Sequence, residues 1–284
     1  MHCTISDAYL NQAKNDDGLA QLEKEAVDDI KASFNLQIEY GIPTSELFSV
    51  RYRISNQNPS ELFLINPRSR GGRFLEAPKR VFIVQDYEWL ANPRLVGPPG
   101  WRGSYRYPIA AVFLHENGDM KNSWCRTTII HETLHSVSLY SRIWNVFPNI
   151  LSRHVLLLEG ITECLTGYIL SKRHQDCYDE WKNDQQERCS ISYKPSVRLW
   201  CSFSQIAGVA GLAEFYSSQK SNFTDPWNQL IQSINAKGFK FNYQLDEKKA
   251  FREHEFREIC VKSLPGFKKT YDSLATCFDF SKVK

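Results

Sequence analysis

The chain has 284 residues, 42% of them hydrophobic and 24% charged, the composition of an ordinary globular protein with length for one large core or two modest ones. A formal net charge of +3, spread along the chain, gives no basis for a nucleic-acid or membrane-surface partner. No apolar run approaches the ~18 residues that span a bilayer, and the opening MHCTISDAYLNQ lacks the basic and apolar regions of a secretion signal, so a cytoplasmic location with no membrane contact is expected.

Residues 5–35 are polar and rich in helix formers, which predicts one or two surface helices interrupted near Gly18. Short β-like runs follow at 36–40 and 48–54, then a clearer strand at 80–85 (RVFIVQ). A loop rich in Gly and Pro over 93–103 leads to a second strand at 109–114 (IAAVFL), and ENGDMKN after it is turn chemistry. From Ser123 the apolar spacing becomes helical, and a second helix is predicted over 151–173. The polar stretch 174–189 predicts an exposed loop. Helices are expected again over 195–216, 227–236 and 248–264. The pattern is α+β in the middle and mostly helical towards residue 284. It suggests three parts: a helical and β segment at 1–75, a catalytic core at 76–175, and a helical subdomain at 176–284. Of eight cysteines no pair has CxxC spacing, so most are expected to be buried thiols rather than zinc ligands. Cys177 and Cys189 flank the polar stretch and would pair in an oxidising compartment.

The chemistry lies in the first of the two central helices. Residues 131–135 read His131-Glu132-Thr133-Leu134-His135, the H-E-x-x-H pattern. Positions i and i+4 share a helical face, so both imidazoles can reach one cation. Glu132 follows the first ligand and is placed to act on a water as general base. The surrounding Ile129, Ile130, Leu134 and Val137 predict a buried helix, and buried imidazoles need partners. Downstream, Glu159 and Glu163 stand four apart among Leu156, Leu157, Leu158, Ile161 and Leu165. Two carboxylates on so apolar a helix are costly unless they are paired or bind a metal.

HETLH followed by EGITE resembles the gluzincin metallopeptidases, of the thermolysin-like and zinc-aminopeptidase-like branches and the small latent forms among them. The resemblance implies a zincin-like α+β domain with a small mixed sheet, an active-site helix and a glutamate helix. It implies one Zn²⁺ held by His131, His135 and Glu159, with Glu163 orienting His131 through its other ring nitrogen. SYKPSVRLW (192–200) is similar to the stretch in zinc aminopeptidases where a tyrosine opens a helix, which implies Tyr193 as the donor to the transition-state oxyanion, although Pro195 or Ser196 stands where Gly is common. The strand before the active-site helix borders the substrate cleft in zincins, which implies that Ala110, Ala111, Val112 and Phe113 form an edge for an extended peptide. The stretch PIAAVFLHE lacks the glutamate motif by which the aminopeptidases hold a free amine, so an endopeptidase acting on peptide or protein is expected ahead of an aminopeptidase. The alternative is an inactive or autoinhibited binding or regulatory protein of gluzincin fold, with an added segment capping the cleft.

Overall fold

The computed structural model describes residues 17–35, 38–39, 75–76, 80–84, 103–106, 111–115, 123–139, 150–187 and 194–284, apart from 219, 221, 247, 282 and 284. The chain divides into two units, Met1–Val137 and Ser138–Lys284.

In the first unit, α1 spans Asp17–Phe34 and α2 (Ser123–Val137) carries the H-E-x-x-H motif. Ala26, Val27 and Ile30 form the buried stripe of α1, and Ile129, Ile130, Leu134 and Val137 that of α2. Arg126 donates to Glu25 at 3.0 Å. Both side chains are about one-third exposed, so this ion pair contributes at most ~1 kcal/mol and the apolar stripes hold the helices. Short backbone ladders occur between β1 (Ile38–Glu39) and β2 (Leu75–Glu76), and among β3 (Arg80–Val84), β4 (Gly103–Arg106) and β5 (Ala111–His115). The predicted strand at 48–54 lies outside the described residues.

The second unit is built on α3 (Ile150–Arg173), which is buried on every side along its middle. Around it stand α4 (Gln175–Glu187), α5 (Lys194–Ala207), α6 (Val209–Tyr216) and α7 (Thr224–Ala236), followed by α8 (Glu253–Ser263), α9 (Phe267–Asp272) and α10 (Leu274–Cys277). Gly208, at φ 104°, breaks the predicted helix 195–216 into α5 and α6. His154 kinks the first turns of α3 (φ −118°, ψ 15°) and is fully buried. Its Nε2 lies 2.8 Å from the Lys249 carbonyl, which can only accept, so Nε2 carries the proton. Trp200, Phe203, Trp227, Phe241 and Phe256 interlock, with Trp200 and Phe256 centroids 4.8 Å apart. The Trp227 indole donates to the Tyr243 carbonyl at 2.7 Å. Phe241, Phe251, Phe256, Phe267, Phe278 and Phe280 thus belong to the core of this unit.

The α+β class read from the sequence is corrected. Helix makes up 77% of the residues whose packing is described, with no strand or sheet among them. The described core is helix against helix and its connections, so the zincin-like mixed sheet is not the layer on which this core is built. The predicted loop at 174–189 is also overturned. It forms α4, whose Cys177, Tyr178, Trp181 and Gln185 are buried at helical spacing while the rest of its surface is polar. Among the described residues, Cys164, Cys177, Cys201, Cys260 and Cys277 are buried thiols. Burial pushes the Cys201 and Cys260 thiols well above the ordinary range, which keeps them neutral and poor metal ligands.

Residues 278–280 close over α4. The Tyr178 hydroxyl donates to the Phe278 carbonyl at 2.7 Å and accepts from the Phe280 amide at 2.8 Å. Burial raises its pKa from 10.0 to about 12. The unfolded phenol ionises near 10, so the stability held by the neutral form is whole below that pH and is lost as pH climbs towards 12. A fall in the urea midpoint between pH 10 and 12 is expected, and Tyr178→Phe should reduce that fall. An equal fall in the variant would refute the assignment.

Candidate metal centre

His131 and His135 stand one turn apart on α2, the first half-buried and the second buried. Their Nε2 atoms are 3.1 Å apart and their rings meet at 79° with centroids 4.8 Å apart. Two imidazole nitrogens on one tetrahedral Zn²⁺, each ~2.0–2.1 Å from it, stand about 3.3 Å apart. The observed separation suits two ligands of one ion. Glu159, half-buried, is carried by α3. One ligand atom from each of His131, His135 and Glu159 falls within 4.8 Å of the other two. Among the described residues these three are the one group of His, Cys, Asp or Glu that could hold a metal ion. Glu132, next to His131, is buried at 7% exposure.

The helix carrying Glu159 is fixed by close packing at two glycines. A Cβ on Gly160 would stand 2.5 Å from Ser196 Oγ and from Trp200 Cδ1, so α5 approaches α3 over that backbone. A Cβ on Gly167 would fall on the six-membered ring of Trp181. Gly160, next to Glu159, thus has a packing reason of its own, independent of any chemistry.

Glu163, one turn beyond Glu159, is buried and accepts two hydrogen bonds on Oε1. Trp181 Nε1 donates at 2.9 Å and Gln185 Nε2 at 2.6 Å, both from α4. Sequence reasoning missed these two donors because it read their segment as a loop. The available signal was the run Cys177, Tyr178, Trp181, Gln185, which repeats on one helical face.

No family model matches the chain, and neither a curated protein nor a solved structure matches it. Tyr193 and Ala110 lie outside the described residues. Ala111, Val112 and Phe113, expected at a peptide-binding edge, lie in β5. β5 is the middle strand of its ladder, parallel to β3 through Val112↔Val81 and antiparallel to β4 through Val112↔Tyr105. Backbone groups committed on both sides are not offered to an added strand.

Among the described residues, no helix is long and apolar enough to cross a membrane.

Proposed function

We propose that the chain is a gluzincin-type zinc peptidase that cuts internal peptide bonds, with His131, His135 and Glu159 holding one Zn²⁺ and Glu132 as general base. The observation that carries this reading is the convergence of two imidazoles and a carboxylate within 4.8 Å. Two imidazoles and a carboxylate so close together can all be ligands of one divalent cation. Two nitrogens and one oxygen, with a fourth position open, is the donor set of hydrolytic rather than structural zinc. When bound, zinc supplies Lewis acidity, which brings the pKa of a ligated water towards ~7 and polarises the scissile carbonyl.

The protein's own groups do the rest. Glu132 takes a proton from the attacking water and passes it to the leaving amine nitrogen. Its burial keeps bulk water from screening that carboxylate. Tyr193 is the proposed donor to the developing oxyanion. The absence of an amine-capturing glutamate motif in PIAAVFLHE favours internal bonds over chain ends.

The test is metal analysis of the purified full chain beside cleavage of an internally quenched peptide. About one zinc per chain is expected, as three protein ligands and an open position imply. A chelator should abolish cleavage and added zinc should restore it. A chain free of zinc, or cleavage indifferent to chelator, would overturn the reading.

A further inference from the structure

Two arginines from different helices meet one tyrosine of the second unit. Arg198 on α5 lies over the Tyr271 ring of α9, 4.5 Å from its centroid, and Arg257 on α8 comes within 5.6 Å of the same centroid. Phe267, fully buried, stacks on that ring at 5.8 Å and 19°, which anchors it. Arg198 Nε donates to the Tyr271 carbonyl at the end of α9, so backbone and ring together fix this guanidinium. All three side chains are partly exposed. Among the described residues, neither arginine forms an ion pair with a carboxylate. Asp272 is taken by Lys268, Glu255 by Arg252, and Glu258 by His254 and Lys262. The Arg257 pKa is raised first by its hydrogen bond to the Tyr271 hydroxyl, with Glu253 and Glu258 acting only from a distance. A guanidinium has donors and no acceptor, and a phenol that accepts from Arg257 keeps its own O–H to give. What the three residues still offer is therefore donors alone, beside two positive charges. That combination fits an oxyanion, and two charges favour a dianion over a carboxylate.

We propose that Arg198, Arg257 and Tyr271 form a binding site for a phosphoryl group, carried as inorganic phosphate or as a small phosphomonoester. The site shares no residue with the metal centre and does not rest on the zinc reading. Three helices supply one donor side chain each, so the site exists only in the folded unit. A hydrogen bond to a charged group commonly carries enough free energy to change affinity ~10–100-fold.

The experiment titrates the full chain with inorganic phosphate, glycerol phosphate and acetate by calorimetry, at constant ionic strength so that screening does not change. Wild type is compared with Arg198→Gln, Arg257→Gln, Tyr271→Phe and, as an exposed arginine on the same helix as Arg257, Arg252→Gln. Arg198→Gln also removes the cap of α9 and could unfold it, whereas Arg257→Gln leaves that cap in place. Wild type should bind phosphate saturably at one site per chain. Arg257→Gln should weaken binding about 10–100-fold and Tyr271→Phe at the lower end of that range, with Arg252→Gln unchanged. Glycerol phosphate bound at least as tightly as inorganic phosphate would identify an ester as the ligand, and weaker binding the free anion; either supports the site. No saturable binding by wild type would overturn the inference. So would full binding by a folded Arg257→Gln, which is also the result expected if phosphate went to a metal ion instead. An equal loss in Arg252→Gln would reduce the effect to general surface charge, and acetate bound as tightly as phosphate would overturn the phosphoryl assignment.

Discussion

Glu132→Gln is expected to lower peptide cleavage by ~10²–10⁴-fold, the range that a general base supplies, while the protein still takes up one zinc. The amide keeps the size and most of the packing of the carboxylate at this buried position, but it cannot accept a proton from water. Glu159→Ala should give the complementary result. Losing one of three ligands leaves two imidazoles, and zinc affinity should fall by more than the ~100-fold that even outlying partners can cost, with cleavage lost alongside it. The pair separates chemistry from metal binding. Metal content by elemental analysis and cleavage of a quenched peptide read the two quantities independently. A Glu132→Gln protein with undiminished turnover would refute the mechanism, and zinc retained in full by Glu159→Ala would remove that residue from the ligand set.

Gly167→Ala is expected to destabilise the second unit by about 1–2 kcal/mol, a sizeable share of the ~5–15 kcal/mol that holds a domain folded. Two effects oppose each other. Alanine favours helix over glycine by ~1 kcal/mol, and overpacking a core costs ~1–3 kcal/mol or more. The methyl would fall on the Trp181 ring, and that ring is walled in by Tyr178, Phe278 and Phe280, so the clash prevails. Gly211→Ala supplies the contrast. Its nearest neighbour is the end of the Leu230 side chain at 3.1 Å, which can shift, so helix propensity should prevail and stability should be unchanged or raised. Urea unfolding followed by far-ultraviolet circular dichroism measures both. Equal behaviour of the two variants would refute the packing argument.

The sequence discloses parts of this arrangement whose cause is local. H-E-x-x-H marks α2 because a spacing of four is itself the geometry of one helical face. Glu159 is legible because a carboxylate flanked by Leu158 and Ile161 contradicts its surroundings unless something binds it. The α4 helix escapes notice because nine of its thirteen residues are not buried and overwhelm the signal of the four that are. The place of β5 in the middle of its ladder is equally hidden, since Val112 finds its partners Val81 and Tyr105 through pairing that no local pattern specifies. The close approaches at Gly160 and Gly167 depend on Trp200 and Trp181, and from sequence alone each glycine reads only as a weak point in a helix.

The ties that frame α3 and α4 are long in sequence. Tyr178 reaches Phe278 and Phe280, His154 reaches Lys249, and Lys172 reaches Val283, across separations of 95 to 111 residues. Closing such loops costs chain entropy before any contact repays it, so they are late events on the way from a random coil. Helical signal should therefore return early during renaturation, with the Trp181 and Gln185 cradle formed only afterwards. A nascent or freshly diluted chain would have its imidazole pair well before it had the Glu163 carboxylate held steady by α4.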